Sequence, residues 1–152
     1  MPKTPLTILT VPNPKLRIRA EEIDASTLAD LRTNGFLEKL VQTMTIADGV
    51  GIAATQVGVP HRVIVVLNGG KPTVYINPVI TSRSLRTAVD TEGCLSVPGM
   101  IGAVRRATSV NVRARNDQFA PVTLKCKNLT ARIFQHEVDH LDGVLYIDRA
   151  IS

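Results

Sequence analysis

Aromatic residues are nearly missing from this chain of 152 residues: they make up 3% of it, and there is no tryptophan. A core without large rings has to be filled by Val, Ile, Leu and Ala, within a hydrophobic share of 44%, and that composition leans toward sheet. Long apolar runs are missing as well. The first of them, Leu6-Thr7-Ile8-Leu9, falls far short of a signal-peptide core, and none approaches the roughly 20 residues of a membrane-spanning helix, so a soluble cytoplasmic protein with no membrane partner is expected. Cysteine is scarce. In a reducing compartment the two cysteines, Cys94 and Cys126, are thiols rather than a disulfide, and at least one is free to bind metal. The charge of +5 comes from basic residues scattered among acidic ones with no aromatics between them, which reads as solvated surface and not as a site for a specific nucleic acid. No repeat, linker or low-complexity segment divides the chain. One domain over residues 1–152 is expected, burying about two thirds of its unfolded surface.

What is there reads as α+β. Residues Ile8 to Ala20, punctuated by Pro12, Asn13 and Pro14, form an extended arm and turn. Leu28, Leu31, Leu37, Leu40, Val41 and Met44 recur at helical spacing between Ser26 and Ala47, with Ser26 or Asp24 to cap the start. Asn34-Gly35 is the weak point of that helix, since Gly there costs about 1 kcal/mol relative to Ala. Val50 to Gly58 is small and flexible. Arg62–Leu67 and Thr73–Ile80 form a hairpin about Asn68-Gly69-Gly70, and Thr87–Ser96, Ser109–Arg115 and Val122–Cys126 are further strands. Val110, Val112 and Ala114, then Val122, Leu124 and Cys126, alternate with polar neighbours and mark buried faces. Asn128 caps a last helix, Leu129 to Asp142, that Gly143 ends.

That helix holds two of the three histidines, in Gln135-His136-Glu137-Val138-Asp139-His140. Four helical residues separate the two rings by about 6 Å along the axis and about 40° around it, so both can address one metal ion with Glu137 beside them. A catalytic site of this kind needs a third protein ligand and a position left for water. Cys94, Cys126 and the carboxylates are candidates. Cys94 stands in Glu92-Gly93-Cys94-Leu95-Ser96, where glycine lets the backbone come close and Leu95 can present its N–H, whereas Cys126 continues an apolar face. A thiolate with two imidazoles selects zinc or ferrous iron over calcium or magnesium. Gly49-Val50-Gly51-Ile52-Ala53-Ala54-Thr55-Gln56 lacks the Gly-Lys-Ser/Thr ending of a phosphate loop, but its Gln56 amide can donate toward an oxyanion. A metallopeptidase with a downstream Glu or His ligand is disfavoured, because the twelve residues after His140 contain neither. A thiol hydrolase on Cys94 and a peptide-binding module with a structural metal are weaker rivals.

Together these three segments resemble the motifs of peptide deformylase, in the right order and at fitting intervals, over about Ile8 to Arg149. Ile52 stands where the family more often has Leu. The resemblance implies antiparallel sheets packed around a central C-terminal metal-binding helix, with a second helix near the N-terminus. It implies one divalent metal on Cys94, His136 and His140, Fe(2+) natively, with Zn(2+) or Ni(2+) as purified. It makes Glu137 the general base and gives Gln56 and the Leu95 N–H the oxyanion, in hydrolysis of the formyl group from N-formylmethionyl nascent peptides. An extended peptide would lie along Val50-Gly51 and the backbone from Gly93, its methionine among Val50, Leu129 and Ile133 with Glu92 and His136 nearby. The chain stops nine residues after Gly143, as in a short form without the ribosome-docking C-terminal helix. Only transient proximity to ribosomes is then expected, in a bacterial cytoplasm or, for a phage-encoded form, its host's.

Overall fold

The computed structural model describes residues 5–151. β2 (Val63–Asn68) and β3 (Lys71–Arg83) pair antiparallel across Gly69-Gly70. Both glycines have positive φ, 60° and 80°, the backbone that a two-residue hairpin with right-handed strand twist demands. β1 (Gly51–Ala53) joins the outer edge of β2, and β6 (Ser109–Arg115) and β7 (Pro121–Lys127) extend the sheet beyond β3. The result is a five-stranded antiparallel sheet in the order β1-β2-β3-β6-β7. A separate two-stranded ribbon is formed by β4 (Thr87–Cys94) and β5 (Val97–Ala107).

Val110, Val112, Ala114 and Cys126 are buried, and Val122 and Leu124 pack with them, as their alternation predicts. They share a core with Phe134, Val138 and Leu141 of α3 (Asn128–Leu141). A second core lies under α1 (Ala25–Thr33) and α2 (Phe36–Ile46). β2 serves both: Ile64 and Val66 join the α3 core while Val63 and Val65 join the other. Burial on both faces is why this strand is an unbroken apolar run rather than an alternating one. α3 packs on β1, β2 and β7 of the large sheet and also on β5 of the ribbon, so it runs between the two. The α+β arrangement around a C-terminal helix is the expected one.

Several local expectations change. The single helix over Ser26–Ala47 is two, broken at Asn34-Gly35, where Gly35 takes φ 79°; Asp24, not Ser26, caps the first by accepting from the Thr27 N–H at 2.8 Å. Asn128 does not cap α3. It is the first helical residue, at φ 54°, and its N–H donates to the Thr108 carbonyl, because β7 runs into the helix with no intervening loop to hold a cap. Gly143 does end the helix, at φ 77°, and a Cβ there would lie 2.5 Å from the Arg17 carbonyl oxygen. The stretch Val50–Gly58, expected to be flexible, holds β1 and a 3-10 turn over Ala54–Val57, and Ile52 to Gln56 are almost completely buried. The arm carries a 3-10 turn over Pro14–Arg17 and bonds to both neighbouring motifs, Leu9 N–H to the Gln56 carbonyl and Val11 N–H to the Ser96 carbonyl. β5 is unforeseen. Pro98, Gly99 and Gly102 interrupt any strand pattern in it, and pairing with β4 holds it extended.

Candidate metal centre

Cys94 is placed by an irregularity. The β4–β5 register shifts between Glu92 and Cys94, turning the thiol toward α3 at the end of the strand. Its Sγ lies 3.2 Å from His140 Nε2, accepts from the Ser96 N–H at 3.4 Å and has the Gln56 Nε2 at 3.6 Å. The ligating atoms of Cys94, His136 and His140 lie within 4.8 Å of one another. Donors held about 2.0 to 2.3 Å from one tetrahedral ion sit roughly 3.5 Å apart. The Cys94–His140 pair at 3.2 Å is already near that spacing, and the third donor lies close enough for the cluster to fit a single divalent metal. Cys126 is far from this role, buried in the sheet core, where burial pushes its thiol pKa up.

Charges fixed around the cluster prepare it. The Glu92 carboxylate accepts from His136 Nδ1 at 2.8 Å, from Arg106 Nε and Nη2 at 2.9 and 3.0 Å, and from Arg132 Nη1 at 2.7 Å. Burial alone would favour its protonation, but the bonds from His136 and Arg106 prevail and hold its pKa well below the usual carboxylate range. With Nδ1 spoken for, His136 offers Nε2 to the metal. Arg106 continues inward to Asp139 at 2.6 Å, and Arg149 grips the same Asp139 at 2.7 and 3.0 Å. His140 is held neutral, its pKa well below the ordinary value, by burial and by the charges of His136 and Arg106. Burial also lowers His136, but the Glu137 charge and bonds to Cys94 and Glu92 outweigh it and raise the imidazole to about 10, so a metal must displace a proton there.

Glu137 stands apart from that network. It is 3% exposed, its Oε1 has no hydrogen-bond partner among the described residues, and burial raises its pKa to about 7. Its room is made by Gly51, where a Cβ would lie 2.5 Å from Glu137 Oε2 and 2.9 Å from Ile133 Cγ2. The Gln56 amide is oriented by its own bonds: Oε1 accepts from the Ala53 N–H at 2.9 Å, and Nε2 points to Ser96 Oγ and the Cys94 sulfur.

A cleft of about 370 Å³ opens over these groups, lined on one side by Val50, Gly51 and Gln56, on the other by Glu92, Gly93, Cys94 and Leu95, and below by α3 through Leu129, Ile133, His136 and Glu137. Every site residue named from the sequence therefore meets here except His140, which lies beneath, at 1% exposure. Within the group, Val50 and Leu129 are exposed at the rim, while Ile133 is buried. Glu92, named as a pocket residue, lines the wall with both oxygens already bound. The sequence alone does not single out Arg106, Arg132 and Arg149, or the pairing of Asp139 with two of them. The one sign of Arg106 is a charge where β5 is otherwise turning inward, and its partners are 14 and 33 residues away.

A cysteine sulfur and two imidazoles grouped to fit one ion, next to a buried carboxyl that holds its proton to about pH 7, are the make-up of a mononuclear metallohydrolase. Likeness to known proteins says which kind: the chain belongs to the polypeptide deformylase family, whose sequence model matches residues 5–152. It is 45% identical over 152 residues to peptide deformylase 2 of Gloeobacter violaceus, covering 97% of this chain and 80% of that one. Its fold superposes on the crystal structure of peptide deformylase from Thermotoga maritima with a TM-score of 0.92 at 36% identity, over 99% of this chain and 100% of the other. The Met-Ala-Ser-bound peptide deformylase from Acinetobacter baumannii matches at a TM-score of 0.90 and 34% identity, over 96% and 98%.

Proposed function

We propose that this deformylase removes the formyl group from the N-terminal methionine of newly made polypeptides by general-base hydrolysis, with Glu137 moving the proton and Gln56 and the Leu95 N–H holding the oxyanion. Cys94, His136 and His140 hold one divalent ion, Fe(2+) in the cell, which supplies Lewis acidity toward water and the formyl carbonyl. Glu137 takes a proton from the attacking water as the oxygen adds to the formyl carbon. Charge grows on the carbonyl oxygen, and the Gln56 Nε2 and Leu95 N–H donate to it, each such donor being worth about 3 kcal/mol of barrier. Glu137 then gives the proton to the amine nitrogen as the C–N bond breaks, leaving formate and a free methionine amine. Val50, Leu129 and Ile133 receive the methionine side chain. The peptide backbone lies extended along Val50-Gly51 and Gly93, adding a strand to those edges.

The observation that carries this reading is Glu137, a buried carboxyl with a pKa near 7 and an unpartnered oxygen, lining the same cleft as the metal donors. The Acinetobacter relative binds Met-Ala-Ser, the kind of peptide that the reaction leaves behind. Protein purified without oxygen should contain about one iron per chain and release formate from formyl-Met-Ala-Ser, and air should erode both iron content and rate as iron and thiolate oxidise. Absence of formate release from fully metal-loaded protein would contradict the activity, and zinc in protein never exposed to air would contradict the metal.

A further inference from the structure

Half of the basic residues are gathered by the fold onto the side of α3 that faces away from the cleft. Around that helix, Ile133, His136 and Glu137 line the cleft, whereas Val138 and Asp142 line a depression of about 780 Å³ and Gln135 and Asp139 one of about 320 Å³. Arg19, Arg62, Arg83 and Arg113 surround the first of these. The second shares Arg83 and adds Arg105, Arg106 and Arg149. A third, about 420 Å³, shares Thr87 with the second and adds Arg86 and Lys127, so the three run on from one another. Nine of the chain's 18 basic residues line this band against four of its 13 acidic ones, Glu21, Glu22, Asp139 and Asp142. The rest of the chain, with nine of each sign, is balanced. The whole net charge of +5 sits here. Residues that look scattered along the chain are neighbours in space.

Some of these cations have partners already: Arg62 pairs with Asp142 at 3.0 Å, Arg106 with Glu92 and Asp139, and Arg149 with Asp139. Arg83, Arg86, Arg113 and Lys127 are exposed, and their side chains make no hydrogen bond or ion pair among the described residues. We infer that this band docks the phosphodiester backbone of a double-helical nucleic acid without reading its sequence, leaving the cleft on the far side of α3 open to peptide. Arginine forks suit phosphate oxygens, and the Thr87 and Ser109 hydroxyls alongside are the usual neutral supplements to them, whereas those of Ser84 and Thr108 donate to the Arg86 carbonyl. No aromatic side chain lines the three depressions, which disfavours a single strand held by base stacking. A membrane surface would call for an apolar face among the charges, and none of the described residues that line the three depressions is an exposed large hydrophobic.

The test uses metal-loaded enzyme and fluorescent RNA and DNA hairpins of about 20 base pairs, titrated between about 50 and 200 mM KCl by anisotropy. With four free cations on phosphate, affinity should fall about a hundredfold across that range. R83S/R113S and R86S/K127S should each flatten the slope of log affinity against log salt by about 2, while formate release from formyl-Met-Ala-Ser stays at the parent rate. The hairpin that binds more tightly identifies the source of the backbone. No binding to either hairpin at low salt, binding that both double variants leave unchanged, or tighter binding to phosphatidylserine vesicles would overturn the assignment.

Discussion

The two walls of the cleft hold one buried glutamate each, and they treat it in opposite ways. On the ribbon wall Glu92 is 6% exposed and surrounded by two guanidiniums and an imidazole, so it stays charged far below neutral pH. On the wall made by β1 and α3, Glu137 is 3% exposed against Gly51 and Ile133, keeps an unpartnered oxygen and holds its proton to about pH 7. The first is a fixed charge that orients a metal ligand. The second, with its raised pKa, is the group that the proposed reaction uses to exchange a proton. Residue type does not separate the two roles; the partners that the fold brings to each carboxylate do.

Removing the difference between the walls should have graded effects. Gly51→Ala puts a methyl 2.5 Å from Glu137 Oε2, which must shift; with reacting groups displaced by about 1 Å, kcat should drop about a hundredfold while metal stays bound, as steady-state kinetics beside metal analysis would reveal. Glu92→Gln weakens the orientation of His136 and leaves Arg106 and Arg132 short of a charge, so metal affinity should fall about 10- to 100-fold in chelator competition. An effect confined to kcat would place Glu92 in the chemistry instead. A smaller effect concerns stability. Without metal, Glu137 binds its proton more tightly folded than unfolded, so stability falls as pH rises from about 4.5 to about 7 and stays lower above it. Metal-free Glu137→Gln should therefore melt several degrees above the parent at pH 8 and show little gain at pH 4 to 5. Least affected should be Cys126→Ala, which keeps full metal content and loses about 1 kcal/mol of stability in denaturant titration, because that thiol belongs to the sheet core.

The metal donors were legible because helical geometry fixes how two histidines four residues apart are disposed, and α3 has that geometry. Cys94 was harder. Nothing local separates it from Cys126 except flanking glycine and an alternating pattern, and its aim depends on a register shift between strands that spacing does not encode. Gly51 was named for backbone contact with peptide, but the space it leaves for Glu137 comes from a residue 86 positions later. The partners of Glu92 are not legible in the sequence for the same reason: a buried arginine is recognisable only when its carboxylate is known, and these pairs join β4, β5 and α3. The broken first helix and the ending of α3 were visible in Gly35 and Gly143, where φ near 80° suits glycine. β5 was not, since its pairing overrides the proline and glycines within it.

Glu137→Gln tests the division of labour most directly, with formate release from formyl-Met-Ala-Ser and bound metal measured on the same preparation. The contrast between the walls predicts unchanged metal content and a rate lower by about 10² to 10⁴. A variant that keeps both its metal and most of its rate would show that the proton moves through some other group.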